Sequence, residues 1–192
     1  ELVMKTAMKG YYEFMEGKPV SVHIAEIEQP DVPLWAVWAL QQYAKETSKE
    51  DCFKKYGQFI KDVISFIQDN KHPNLKLEEN GLLYTDGKDK AVTWMNSTAN
   101  GRPVVPRTGY IVEFNALWYN ALCFCASLAA TVGEEDSQQK LLAQAEKTKQ
   151  AFLDTFLNEY GYLMHQMMEL TDNALTQMNI TLVGHKGDND AN

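Results

Sequence analysis

The residues able to do chemistry gather in two neighbouring stretches. Thr93-Trp94-Met95-Asn96 leads into a Gly/Pro loop, and Val105-Pro106-Arg107-Thr108-Gly109 leaves it. Glu113, Asn115, Trp118, Tyr119 and Asn120 follow within a few residues. A helix start carrying Glu113, Asn115, Trp118 and Tyr119 within two turns is costly if all are buried without partners. Polar groups beside indole rings suit a sugar, whose hydroxyls need paired donors and acceptors and whose apolar face needs a flat aromatic. Each residue also has a plainer role. Trp35 and Trp38 at helical spacing fit core packing better than sugar platforms on the pattern alone. Glu113 fits a charge favoured by the helix dipole, and Arg107 fits a loop brace paired with a carboxylate.

Certain elements must position these groups. Residues 2–16 carry apolar side chains at helical spacing up to Gly17 and Pro19, and residues 20–27 alternate as a short extended segment. Asp31 is placed to cap a helix with Pro33 in its first turn, running to about Thr47. Leu34, Trp35, Val37, Trp38, Leu40 and Tyr43 make that helix apolar on most sides, which predicts burial on both. Ser48-Lys49-Glu50-Asp51 reads as a capping box with Asp for Glu, opening a second helix through Ile67. Asn80-Gly81 and Asp86-Gly87 are hairpin signals around residues 81–84. Residues 91–110 read as loop. A long helix from about Ile111 to Thr131 is closed by Gly133, and another spans about Glu135 to Asn158. On the latter, Leu141, Leu142, Ala145, Phe152, Phe156 and Leu157 form the expected buried face. Tyr160-Gly161-Tyr162 is a turn, and the segment from Met164 loses clear periodicity. The fold class is therefore all-α, with short β-hairpins in the long loops.

Composition sets outer bounds. The 192 residues carry 26 acidic and 18 basic side chains, a formal charge of −8 and a pI near 5.0, which argues against duplex nucleic acid as a partner. Hydrophobic residues at 45% exclude disorder over the whole chain. No apolar run reaches the roughly 20 residues that span a bilayer. Cys52, Cys123 and Cys125 give an odd count without zinc spacing; the pair on the apolar helix reads as inert core thiols, and a reducing, cytoplasmic compartment fits. His23, His72, His165 and His185 are too scattered for a metal site, and no cofactor is expected. Asp86-Gly87-Lys88-Asp89 falls short of an EF-hand loop. Asn96-Ser97-Thr98 and Asn179-Ile180-Thr181 match the glycosylation pattern only by chance. The opening Glu1-Leu2-Val3-Met4-Lys5 is not a signal peptide and reads as an internal start.

The order of motifs carries the reading further. Asp31-Val32-Pro33-Leu34-Trp35, then Thr93-Trp94-Met95-Asn96, then Pro106-Arg107-Thr108-Gly109, then residues 113–122 resemble the amylo-α-1,6-glucosidase domain of glycogen debranching enzymes. The resemblance runs from about Glu26 to Tyr162 and is most specific between Thr93 and Leu122. It implies part of an (α/α)6 toroid over residues 1–163, with residues 164–192 as a tail outside the family pattern. It also implies a glycoside hydrolase acting on α-1,6 branch glucosides by inversion, with an acid and a base roughly 6.5–9.5 Å apart. By the same resemblance Asp31 is a sugar-hydroxyl acceptor, Trp35 and Trp94 wall the glucose subsite, and Arg107, Glu113, Asn115 and Trp118 line the lip of the cleft. Asn96 stands at the family's general-acid position, where Asp is usual. An amide has no proton to give, so an acid-catalysed contribution of about 10²–10⁴-fold is lost unless Glu113 substitutes. The family's Arg-Asp loop and its catalytic base are expected outside this chain. The expectation is thus a fragment of a debranching-type hydrolase, inactive alone, with an α-glucan as partner and self-association through exposed inner helices. The alternative is a non-catalytic α-glucan-binding or scaffolding module.

Overall fold

The computed structural model describes residues 29–93, 97–158 and 160, together with the backbone of 166–167. Among these residues are four helices: α1 (Val32–Glu46), α2 (Lys49–Gln68), α3 (Val112–Thr131) and α4 (Glu135–Phe156). Six short strands lie between or after them: β1 (Leu75–Leu77), β2 (Leu83–Thr85), β3 (Thr98–Ala99), β4 (Arg102–Pro103), β5 (Gly109–Ile111) and β6 (Gln166–Met167). The described part is mostly α, as expected. The expectations for residues 2–16, 20–27 and 161–163, and for most of the segment beyond them, lie outside the described residues.

Local chemistry accounts for the helix ends. Ser48 is extended, and its hydroxyl accepts the Asp51 N–H at 3.0 Å, so one half of the capping box forms. The Asp51 carboxylate turns instead to the Tyr43 hydroxyl at 2.7 Å and to Lys55 at 3.0 Å, which ties α1 to α2. Asp31 occupies the N-cap position of α1 with Pro33 in the first turn, but its own backbone is already helical and its side chain makes no cap bond. A capping side chain needs an extended residue to fold back on the free N–H groups, and this one is not extended. At the end of α3, Gly133 sits at φ +76, Glu134 N–H reaches the Ala129 carbonyl and Gly133 N–H reaches Ala130. That is a complete Schellman closure at the position the sequence indicated.

α3 is the central element and packs against each of the other three helices. Phe114, Trp118, Ala121 and Leu122 on it are fully enclosed. Around them lie Leu34 and Val37 of α1, Ile60 and Val63 of α2, and Ala145 of α4. The expected burial of α1 on both sides does not hold: Trp38 is 43% exposed and Ala39 is exposed beside it. The face of α4 is also narrower than read. Ala145, Thr148 and Phe156 are buried at spacings of three and eight residues, whereas Leu142 lies off that stripe and Leu157 past the helix end, and both are exposed.

The connection between α2 and α3 is more ordered than a loop. β1, β2, β5 and β6 form an antiparallel four-stranded sheet in that order. β6 comes from the segment past Leu163 and pairs Met167 with Tyr110. Asn80-Gly81 does lie in the β1–β2 turn, where Gly81 has φ +92 and its carbonyl accepts the buried Thr148 hydroxyl of α4 at 2.8 Å. A separate hairpin joins β3 to β4 through Asn100 (φ +53) and Gly101 (φ +76), within residues read as plain loop. Two left-handed residues of the type Asn-Gly are the usual two-residue hairpin turn, so this pair carried a usable signal. Asp86-Gly87, by contrast, is not a hairpin turn.

Candidate functional site

The candidate site is built where β5 runs directly into α3. Pairing of β2 with β5 covers Thr85 with Gly109 and Tyr84 with Tyr110. The β2–β5 pairing ends there, because α3 begins at Val112 just past Ile111, so Leu83 must find other partners. Asn115 supplies them. Its Oδ1 accepts the Leu83 N–H at 2.6 Å, and its Nδ2 donates to the Leu83 carbonyl at 3.1 Å and to the Ile111 carbonyl at 3.0 Å. The side-chain amide thus stands in for a missing peptide group and prolongs the sheet by one rung. Asn115 and Leu83 are both fully enclosed, so these groups have no water to fall back on.

The loop entering β5 is clamped from both sides. The buried Thr85 hydroxyl lies 3.1 Å from the Arg107 carbonyl and 3.2 Å from that of Gly109, its single proton shared between them. On the other side Gly87 lies so close that an added Cβ would sit 2.2 Å from the Arg107 carbonyl oxygen and 2.9 Å from Val92. Only glycine permits that approach. Arg107 therefore has little backbone freedom, and its Nη1 donates to Glu113 Oε1 at 2.9 Å. The two side chains are only 11% and 18% exposed, so the pair is screened far less than one in open water. The plain reading of both residues, a loop brace and a first-turn carboxylate, is realised in one ion pair.

The other expected residues are placed as follows. Asp31 is fully buried at the head of α1. Trp35, one turn later, is half-buried, and its indole N–H is enclosed without a hydrogen-bond partner among the described residues. Its ring meets Trp38 edge-on, centroids 5.9 Å apart and planes at 83°. Trp118 is fully enclosed in the core, its N–H likewise without a partner among the described residues. Trp94 and Asn96 lie outside the described residues. Thr93, which leads into them, is fully buried, and nearby Val92 packs beside Gly87 and the Arg107 loop. Two groups result: Arg107 with Glu113 at the head of α3, and Asp31 with Trp35 at the head of α1.

Helix directions relate these groups. α1 folds back on α2 across Ser48, with Leu40 beside Cys52 and Tyr43 beside Asp51. α2 runs against α3: Lys61 reaches Glu134, just past the end of α3, at 2.6 Å, while Gln68 at the end of α2 reaches Gln144 on the returning α4. Two reversals leave α1 and α3 pointing the same way, Asp31 heading the first and Glu113 standing at the end of α3 that β5 enters. Sequence reading missed Thr85, Gly87 and Thr148 as residues that build this end. Gly87 carried a signal in Asp-Gly that was read as a turn, and the two threonines carried none.

Two of the thiols among the described residues behave as core groups. Burial pushes the Cys125 thiol up to about 11, and burial also raises Cys52, as suits core thiols. A hydrogen bond with Cys123, one turn along α3, raises the Tyr119 phenol. Among the described residues no three or more His, Cys, Asp or Glu side chains converge where they could hold a metal ion. No helix among them is long and apolar enough to cross a membrane.

Fold and site together define a helical protein with an arginine–carboxylate pair and buried polar residues where β5 enters α3. A family model described as amylo-alpha-1,6-glucosidase matches residues 23–182, most of the chain, and the chain belongs to that family. Membership makes it a glycosidase-related protein of the kind that acts on α-glucans. Comparison with curated proteins yields no match, and comparison with solved structures yields none.

Proposed function

We propose that this chain forms an α-glucan-binding portion of an α-1,6-glucosidase domain of (α/α)6 type, with the heads of α1 and α3 facing the sugar. In the complete domain the reaction is hydrolysis of an α-1,6 branch glucoside with inversion, one carboxyl protonating the leaving oxygen and another activating water. The observation that carries the reading is the Arg107–Glu113 pair, clamped by Thr85 and Gly87 within the span that the family match covers. A guanidinium only 11% exposed and held in place by its carboxylate partner suits a directed, charge-assisted hydrogen bond to a sugar hydroxyl at its open edge. Glu113 is engaged in accepting from Arg107, the opposite of what a general acid must offer, so it is assigned a positioning role. Asn115 supports the sheet with all its donors used, and Trp118 supports the core; on this reading they shape the cleft from behind.

Asn96 occupies the acid's place in the family motif, and its amide has no transferable proton, so the chain by itself binds glucan and does not cut it at an enzyme's rate. The second reading, a purely glucan-binding module, is favoured by that same residue. The two are separated by assay. Glucose release from a branched limit dextrin by the purified chain is expected at background level, while calorimetry detects maltooligosaccharide binding that Arg107→Met weakens. Glucose release near that of whole debranching enzymes refutes the inactive assignment, and the absence of any sugar binding refutes both readings. Function in a reducing, cytoplasmic setting accords with three thiols that form no disulfide, two of them buried. Self-association through apolar helix faces, expected from an incomplete ring, is tested by light scattering over a concentration series; a monomer throughout removes it.

A further inference from the structure

We propose that Trp38 is a second sugar platform, binding the glucan residue next to the one that faces Trp35. The inference rests on the glucan reading above and extends it to a residue outside the motifs that carry the family resemblance. Trp38 is 43% exposed on a helix whose other large apolar side chains are buried or half-buried. An indole left in water at that extent, with one direction favoured, is a surface made ready for a flat apolar partner.

The direction is favoured by Trp35. Centroids 5.9 Å apart and planes at 83° fall within the favoured edge-to-face range, so the contact favours this orientation of Trp38. Holding the ring before the ligand arrives removes an ordering cost from binding. The same geometry states what can bind. Two perpendicular indoles cannot both stack on one sugar ring, but three residues of helix separate them by about 4.5 Å along the axis. They fit successive residues of a curved chain, which an α-linked glucan is and a flat β-linked chain is not. Polar groups flank the platform on the same stripe: Gln42, one turn on, lies against the Trp38 backbone carbonyl, and its own Oε1 accepts from Lys45 at 2.9 Å. Neutral amide and ammonium donors beside an aromatic plate suit hydroxyls at the edge of a stacked ring.

The experiment compares glucose, which fills one platform, with maltoheptaose, which spans both, by calorimetry on the whole 192-residue chain. Trp38→Leu keeps an apolar side chain against Trp35 but removes the flat face. It is expected to weaken maltoheptaose binding about 2–13-fold, the range that 0.5–1.5 kcal/mol of aromatic contact implies, and to leave glucose unchanged. Trp38→Phe, which keeps a ring, should stay within about 2-fold of wild type for both sugars. Should Trp38→Leu fail to fold, Trp38→Gln carries the same expectation at this half-exposed position. Equal losses for both sugars, or no loss for either, overturn the assignment of Trp38 while leaving the glucan reading intact. Wild-type protein that binds neither sugar overturns both.

Discussion

Replacing Asn115 by alanine tests whether the sheet is held to α3 by a side-chain amide. The substitution removes partners from the Leu83 N–H and carbonyl, and one of two partners from the Ile111 carbonyl, which as N-cap also accepts the first bond of the helix. Leu83 and Ile111 are both fully enclosed, so two polar groups are stranded at about 1–3 kcal/mol each. Carbonyls tolerate this better than N–H groups, which sets the expected loss at about 3 kcal/mol out of a typical 5–15. Urea unfolding followed by circular dichroism at constant slope measures it. Hydrogen exchange gives a local readout: the Leu83 amide, protected in the wild type, should exchange far faster in the variant while amides in the middle of α3 keep their order of protection. Asn115→Asp adds a pH signature. A carboxylate there accepts from Leu83 N–H but faces two carbonyls in a buried site, so its folded pKa is raised. A raised acid pKa means that stability present at low pH is lost as pH rises through the folded value, and the Asp variant should approach wild type near pH 4 and fall behind by pH 7. A loss below about 1 kcal/mol for Asn115→Ala, with Leu83 exchange unchanged, refutes the reasoning.

Three further outcomes are expected. Gly87→Ala should cost about 2–3 kcal/mol and weaken sugar binding, because the new methyl can be accommodated only by pushing the Arg107 backbone away; denaturation and calorimetry together check this. Among the three thiols, Cys123 should be labelled first by a neutral disulfide reagent at pH 8, with Cys52 and Cys125 labelled only on unfolding, since they are buried and their thiols are raised; peptide mapping of labelled protein reads the order. The hydrogen bond from Tyr43, then that from Lys55, lowers the Asp51 carboxyl, so its contribution is present above about pH 4 and lost as pH falls through the lowered folded value. Tyr43→Phe should flatten that acid limb of the stability curve, and a limb unchanged by the substitution contradicts the assignment.

Part of the candidate site is legible in residue order alone. Arg107 and Glu113 are six residues apart across a strand-to-helix junction, and the reading of one as a brace and the other as a first-turn carboxylate is enough to anticipate their pairing. Asn115 marks the boundary of that reading. Its cost when buried was apparent from the sequence, but its partner Leu83 is 32 residues away, and no local pattern names it. Trp118 shows the same limit in another form. An indole beside polar residues has the look of a sugar platform, yet helix α3 turns it into the core, because three other helices surround that helix. Trp38, read chiefly as core, is the one left in water.

What the sequence determined by itself is local: the Ser48 cap, the Gly133 closure, the helical stretches between them and the membership of a glycosidase family that the motif order announces. These depend on neighbours within about one helical turn or on a linear order of residues, and both are written in the chain. Tertiary structure decided which polar groups face inward to hold the fold and which remain for a ligand. That choice depends on approaches between distant segments, such as Gly87 against the Arg107 carbonyl, Asn115 against Leu83 and Thr148 against Gly81. Close packing sets such approaches to within a fraction of an ångström, and no periodicity along one segment can encode the position of another.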